Sequence, residues 1–125
     1  MAKYNYRTDF VPPAAVVPVK VCSPGVSLGL MLDALVDSGA DRTVLPLQVV
    51  ENLRLPMVDT RLAKGAFDSK PTERKVFAAE LTTEFTPSRI VRVFSGEEGY
   101  ALLGRDILNS CKTLLDGPQQ TLEIV

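Results

Sequence analysis

The most restrictive feature of the sequence is a succession of short apolar runs, many alternating with polar residues and separated by Gly, Pro or polar clusters. Such runs are typical of β-strands joined by turns, because successive side chains of a strand point to opposite faces. Clear examples are Val16–Val21, Arg89–Phe94 and Tyr100–Gly104. Only Pro46–Pro56 and Arg105–Cys111 favour helices, and both are short. The sequence therefore predicts an all-β fold with one or two short helices.

The chain has 125 residues, of which 46% are apolar and 23% charged. This composition is that of one compact domain, since a second domain of ordinary size does not fit. Residues 1–13 mix charge, Tyr and Pro without a period, and we expect them to form an extended N-terminal arm. We expect residues 14–125 to form the single domain.

The sequence contains no histidine. This excludes Ser-His-Asp and Cys-His nucleophiles and any histidine-based zinc site. The two cysteines, Cys22 and Cys111, are too few for a four-thiolate metal site within one chain. We expect no metal and no cofactor, so that any chemistry falls to carboxylates, Lys, Ser, Tyr or Cys.

The formal net charge is −1 and the sequence pI is about 5.4. With basic residues scattered along the chain, we expect no nucleic-acid partner. No apolar stretch approaches the roughly 20 residues that span a bilayer, and prolines interrupt Val11–Val21, the best N-terminal candidate. We therefore expect no membrane contact, no signal peptide, a cytoplasmic location and two reduced cysteines.

A first motif lies in Ala34–Pro46, where Asp37 directly follows an apolar strand. A carboxylate there is costly unless it is hydrogen-bonded, paired or exposed in a cleft. Ser38 then supplies a small hydroxyl, and Gly39 has no Cβ and so allows close backbone approach. Taken alone, these three residues also fit an ordinary turn that ends a strand.

A second motif, Ala101–Asn109, reads ALLGRDILN, which alone fits a buried strand followed by a packing helix. Together and in this order, the two motifs resemble the single-domain retropepsin-like aspartic proteases. That family pairs an apolar strand ending in Asp-Thr/Ser-Gly-Ala with a later apolar-apolar-Gly segment, commonly followed by Arg and Asp or Asn. The resemblance spans about Val26–Val125. It implies a closed six-stranded acid-protease barrel half with a flap hairpin, completed as a homodimer.

The resemblance also assigns roles to residues of the first motif. Asp37 would be the catalytic aspartate, and the Ser38 hydroxyl would hold the opposing loop. Gly39 and Ala40 would provide backbone that lines the substrate cleft. Asp41 would form a structural ion pair with Arg105 beneath the active-site loop, costly to break if partly buried. The expected active-site loop and ion pair therefore comprise Asp37, Ser38, Gly39, Ala40, Asp41 and Arg105.

In the resemblance, the hairpin Val58–Leu81 would be the flap that closes over an extended peptide and excludes water. The expected substrate-binding residues are Gly39, Asp41, Gly65, Ala66 and Phe67. Two features depart from viral members of the family. The flap tip has one glycine where theirs carry several, and Arg42 stands where they often carry a second acid, which affects substrate preference.

One aspartate is insufficient for this mechanism, because two carboxylates sharing a proton are needed to activate a water. Asp116 lies in a turn-like LLDGP segment, and Asp68 has no apolar strand before it. Asp33 precedes Asp37 by four residues, about 13 Å along a strand. A symmetric homodimer that brings two copies of Asp37 together remains as the solution.

The sequence thus predicts an aspartic endopeptidase acting on extended peptides. The principal alternative is a catalytically silent, dimeric peptide-binding module of the same fold. A monomeric β-barrel interaction module and a cysteine-dependent enzyme are weaker alternatives. The terminal strand Thr121–Val125 either pairs across the dimer or completes the monomer's own sheet, and the sequence leaves both possibilities open.

Overall fold

The computed structural model describes residues 2–64 and 69–125. Strands dominate this part of the chain, and the two helices are short, which confirms the predicted all-β class. In chain order the elements are β1 Ala2–Asn5, β2 Val16–Cys22, β3 Gly29–Val36, β4 Val44–Pro46, α1 Leu47–Asn52, β5 Met57–Ala63, β6 Thr72–Thr82, β7 Arg89–Gly96, β8 Ala101–Leu103, α2 Arg105–Leu108, β9 Thr113–Asp116 and β10 Thr121–Ile124.

Six strands form a closed barrel in the order β2, β3, β8, β4, β7 and β6. The ring closes because β6 pairs with β7 along one edge and with β2 along the other. The β3–β8 and β4–β7 pairs are parallel, and the other pairs in the ring are antiparallel. Strand β5 pairs only with β6 and lies outside the ring. The predicted six-stranded barrel with an additional hairpin is confirmed.

The barrel interior is filled by aliphatic side chains at alternate strand positions. In β2, Val17, Val19 and Val21 are fully buried while Lys20 is exposed. Burying one such side chain contributes roughly 1.5–3 kcal/mol. The sequence pattern therefore sets the register of β2, since a slip by one residue would exchange the buried and exposed sets.

A second, three-stranded sheet joins the two ends of the chain. Strand β10 lies in its centre, antiparallel to β1 on one side and to β9 on the other. Leu122 and Ile124 of β10 are fully buried. Of the two interpretations left open by the sequence, the structure supports completion of the monomer's own sheet, because neither edge of β10 is free for a second copy.

Two local features of the structure differ from the sequence predictions. Helix α1 ends at Asn52 instead of reaching Pro56, because the backbone reverses at Arg54, whose φ is +50°. The Leu55 N–H donates back to the Val50 carbonyl across this reversal. Strand β4 was not predicted, since its three residues run directly into α1 at Pro46.

Both cysteines are free: Cys22 is buried and Cys111 is half-buried. No helix in the described ranges is long and apolar enough to cross a membrane.

Candidate active site

The backbone of Asp37 is fixed to the barrel just beyond the end of β3. Val36 pairs with Leu103 in the parallel β3–β8 ladder, and the Asp37 N–H donates to the Leu103 carbonyl at 3.0 Å. The chain then turns sharply, with the Ala40 N–H donating to the Asp37 carbonyl at 3.2 Å. The half-buried Asp37 side chain accepts the Gly39 N–H at Oδ1, at 3.0 Å. The predicted catalytic carboxylate is thus held in one place by the barrel and its own turn.

The start of α2 holds this turn from the other side. Arg105 donates its N–H to the Ala40 carbonyl at 2.9 Å and Nη1 of its guanidinium to the Ser38 carbonyl at 2.8 Å. Ser38 and Gly39 themselves are exposed. The two sequence motifs are far apart in the chain but meet at one site. The tip of the Asp37 turn, Ser38 and Gly39, faces outward from it.

The predicted ion pair between Asp41 and Arg105 is absent from the ion pairs formed within residues 2–64 and 69–125. The Arg105 guanidinium bonds the Ser38 carbonyl instead. Asp41 is exposed, and an exposed carboxylate gains little from pairing because water already solvates it. Arg105 therefore lies beneath the active-site loop, as expected, but it binds a backbone carbonyl of the loop instead of the Asp41 carboxylate.

A buried threonine connects the loop to α2, and the sequence prediction did not include it. Thr43 is 1% exposed, and its hydroxyl donates to Asp106 Oδ1 at 2.8 Å while accepting the Gly104 N–H at 3.2 Å. The Thr43 N–H donates to Asp106 Oδ2 at 3.0 Å. The available signal was Asp106 itself, an acid directly after Gly104 and Arg105 at the end of a buried strand.

Gly104 lies where two backbone segments are in close contact. A Cβ added there would lie 2.6 Å from the Arg42 carbonyl carbon and 2.9 Å from the Thr43 nitrogen. Neither backbone atom can move away without displacing the loop that carries Asp37. Glycine at this position is therefore a steric requirement of the site.

A cleft of about 490 Å³ separates the active-site loop from the β5–β6 hairpin. Of the residues predicted to bind substrate, Asp41 lies in the cleft lining, whereas Gly39 lies at the exposed turn and is not in the lining. Gly65, Ala66 and Phe67, the other predicted substrate-binding residues, lie outside the described residues. The cleft is lined by Ala40, Asp41, Arg42, Val44, Arg61, Leu62, Lys64, Thr72, Arg74 and Phe94.

The outer strand of the hairpin carries a charged cluster around Asp59. The Thr60 N–H donates to Asp59 Oδ1 at 2.8 Å, and Arg61 Nε lies 3.3 Å from Asp59 Oδ2. Arg92 of β7 lies 3.7 Å from the same carboxylate. The Thr60 N–H, and then Arg61, hold the pKa of Asp59 below its ordinary value.

Within the described part of the chain, no three His, Cys, Asp or Glu side chains are grouped so as to hold a metal ion.

Comparisons with known proteins agree with this geometry. The model of a family described as retroviral aspartyl protease matches residues 14–116. No curated protein matches the sequence. Solved structures do match, at sequence identities that establish similarity of fold only.

Three solved structures illustrate this similarity. A retropepsin-like aspartic protease from Rickettsia conorii is 12% identical, with a TM-score of 0.64 over 98% of this chain and 88% of that one. EIAV protease, complexed with the inhibitor HBY-793, is 19% identical, with a TM-score of 0.56 over 78% of this chain and 86% of that one. Simian foamy virus (mac) protease is 19% identical, with a TM-score of 0.56 over 76% of this chain and 92% of that one.

Proposed function

Because the chain belongs to the retroviral aspartyl protease family, we propose that it is an aspartic endopeptidase acting as a homodimer, with one Asp37 contributed by each copy. The observation that carries the proposal is the anchoring of the Asp37 turn. Its backbone is bonded to Leu103 and Arg105, while Ser38 and Gly39 at its tip remain exposed. A rigid turn with an exposed tip suits contact with an identical turn across a two-fold axis.

Two of the three aspartates that the sequence offers as a second carboxylate within the chain are engaged elsewhere. Asp33 is 2.6 Å from Arg7 of the N-terminal arm. Asp116 accepts the Gln119 N–H in the turn between β9 and β10. Asp68 lies outside the described residues. These placements support a second Asp37 as the missing partner.

In the proposed reaction, one Asp37 is ionised and the other carries a proton, since two adjacent carboxylates do not easily ionise together. The ionised carboxylate takes a proton from a bound water, whose oxygen attacks the carbonyl carbon of the peptide bond. The protonated carboxyl gives its proton to the carbonyl oxygen, forming a tetrahedral diol. The C–N bond then breaks, and the amine nitrogen takes up the proton held by the first Asp37. One hydroxyl of the diol gives its proton to the second Asp37, which restores the starting protonation of the pair.

The proposed dimer cannot be formed by adding a strand to β10, because β1 and β9 already flank it. The outer edges of β1 and β9 are the positions in this sheet where a second copy could pair. Leu114 and Leu115 of β9 are more than half exposed. Burial of these leucines would contribute apolar area to an interface beyond the Asp37 turns.

The β5–β6 hairpin is proposed to act as the flap. It lines the cleft opposite the active-site loop, so that its closure over an extended peptide would exclude water from the reacting bond. Gly65, Ala66 and Phe67 are proposed to provide its substrate-facing tip. The two free cysteines suit a reducing compartment, and we propose a cytoplasmic location.

The test is cleavage of a diverse peptide library between about pH 3.5 and 7.5. The wild type should cut, and Asp37→Asn should lower the rate by at least about 100-fold, the contribution of a general acid or base. Asp116→Asn is the matched control, because Asn retains an oxygen to accept the Gln119 N–H. Equal cutting by wild type and Asp37→Asn would overturn the proposal. Peptide binding without cutting would favour the catalytically silent module.

A further inference from the structure

The cleft beside the active-site loop carries an excess of positive charge. Four of its lining residues are basic: Arg42 from the loop, and Arg61, Lys64 and Arg74 from the hairpin. Asp41 is the only acidic residue in this lining, as far as the described residues go. The whole chain, by contrast, has a net charge of −1. The positive charge is therefore a local property of the cleft.

Two of these arginines lie against the same aromatic ring. The guanidinium carbon of Arg74 lies 4.6 Å from the centroid of the Phe94 ring, and that of Arg42 lies 6.0 Å from it. Arg74 also donates from Nη2 to the Ser95 carbonyl at 2.6 Å. Both arginines are half-buried. Cation–π contact and partial burial reduce their side-chain freedom before any ligand arrives.

Neither of these arginines has a carboxylate partner among the described residues. Arg61 is paired with Asp59, but no acidic side chain within residues 2–64 and 69–125 lies within 4.0 Å of the Arg42 or Arg74 guanidinium. Asp41 shares the cleft with both, and Glu97 lines an adjacent recess with Arg74, without forming an ion pair. A guanidinium has five N–H donors, and Arg74 uses one of them on Ser95. Donors remain for an incoming carboxylate.

We propose that this cleft selects peptides with an Asp or Glu side chain close to the scissile bond, and that Arg42 and Arg74 are the residues that recognise it. The inference rests on the proposed function for the location of the scissile bond, since Arg42 follows Asp37 in the same loop. A bidentate guanidinium–carboxylate contact is both stronger and more directional than a neutral hydrogen bond. In a half-buried cleft it is also less screened by salt than at an open surface.

The experiment measures fluorescence polarisation of labelled peptides bound to the Asp37→Asn protein, which separates recognition from cleavage. Peptide pairs differ only by Glu against Gln at each position of a wild-type cleavage sequence, or of library sequences if none is cut. At one or two positions, Glu should bind about tenfold or more tightly than Gln. Arg42→Gln and Arg74→Gln should each bring this ratio of Glu-peptide to Gln-peptide affinity close to one.

The controls distinguish recognition from general charge and from misfolding. Arg92→Gln removes an exposed arginine from β7, the strand of Phe94, but outside the cleft lining, and should leave the ratio unchanged. Arg42→Lys and Arg74→Lys keep the charge and should retain part of the ratio. Added salt should reduce the ratio without abolishing it.

The outcomes separate this inference from the proposed function. A Glu:Gln ratio near one at every position, or no detectable binding of any peptide, would overturn the inference. A ratio that is lost equally in Arg92→Gln would also overturn it. Preferential binding of Glu peptides by a protein whose wild type cuts nothing would support acidic recognition while the proposed peptidase activity failed.

Discussion

The active-site loop, residues 37–43, and the β5–β6 hairpin face each other across the cleft but are stabilised in different ways. The loop is fixed at both ends by hydrogen bonds: the Asp37 N–H donates to the Leu103 carbonyl, and the buried Thr43 hydroxyl donates to Asp106 and accepts the Gly104 N–H. The outer strand of the hairpin depends on its ladder with β6 and on an exposed charge cluster around Asp59. The loop is therefore anchored in the core, whereas β5, the outer strand of the hairpin, lies at the surface.

This difference separates two requirements of the proposed enzyme. A carboxylate that must meet its own copy has to be placed to within a fraction of an ångström, and only packed, hydrogen-bonded surroundings achieve that. Cleft-lining residues at exposed positions of the hairpin, such as Arg61 and Leu62, can be substituted at little cost to stability. We therefore expect substitutions beneath the loop to affect folding and activity together, and substitutions of the exposed hairpin residues that line the cleft to affect substrate preference with little effect on folding.

The largest effect is expected from Gly104→Ala. The new Cβ would clash with the backbone of Arg42 and Thr43, which cannot move without shifting the loop. We expect a loss of about 3 kcal/mol in the free energy of unfolding, at the upper end for overpacking, and loss of cleavage. Urea unfolding and the peptide assay measure the two effects. Gly117→Ala is the control, since nothing lies within 4 Å of its Cβ position; an equal effect there would refute the steric explanation.

A smaller effect is expected from Thr43→Val, which keeps the shape of the side chain and removes its hydroxyl. The buried Gly104 N–H then loses its acceptor, and Asp106 loses a donor. We expect about 2 kcal/mol of destabilisation, the cost of leaving such groups unpaired. Thr60→Val on the exposed face of β5 should change stability by less than about 0.5 kcal/mol. Chemical denaturation measures the free energy of unfolding of both variants. Similar losses of stability in Thr43→Val and Thr60→Val would contradict the role assigned to the Thr43 hydroxyl.

The smallest effect is expected from Asp59→Asn. The pKa of Asp59 is lowered by the Thr60 N–H and by Arg61, so its ionised form stabilises the folded state. This stabilisation is fully present above the unfolded-state pKa and is lost as the pH falls through the lower, folded-state value. The unfolding midpoint temperature of the wild type should be slightly higher than that of Asp59→Asn at neutral pH. This difference in midpoint should vanish in acid. Thermal unfolding across pH measures this, and a difference that grows in acid would contradict the assignment.

The sequence predicts the strands well because alternation is a local property, whereas the closed barrel was expected from the resemblance to the retropepsin-like family. Alternation of buried and exposed residues marks strands such as β2, and the change of pattern at Gly104 and Arg105 marks the end of β8 and the start of α2. Strand β4 has only three residues, too few for alternation to be recognised. The pairing of β1 with β10 joins the two chain ends, and no local pattern specifies such a partner.

The site was predicted less completely for a related reason. The sequence pattern places Asp37 at the end of a strand and the resemblance places Arg105 beneath its loop, but neither determines which oxygen the guanidinium meets. The structure pairs Arg105 with the Ser38 carbonyl instead of Asp41. Likewise, the position of Arg74 against Phe94 depends on the register of β6 with β7, which the sequence does not reveal.

The proposed mechanism requires one Asp37 from each of two copies of the chain. The most direct test mixes wild type with Asp37→Asn at constant total chain concentration, well above that needed for dimerisation, and allows the chains to exchange. If only the wild-type pair is active, the cleavage rate should follow the square of the wild-type fraction, falling to about one quarter in an equal mixture. A rate that falls in direct proportion to the wild-type fraction would contradict the claim, because each chain would then be active by itself.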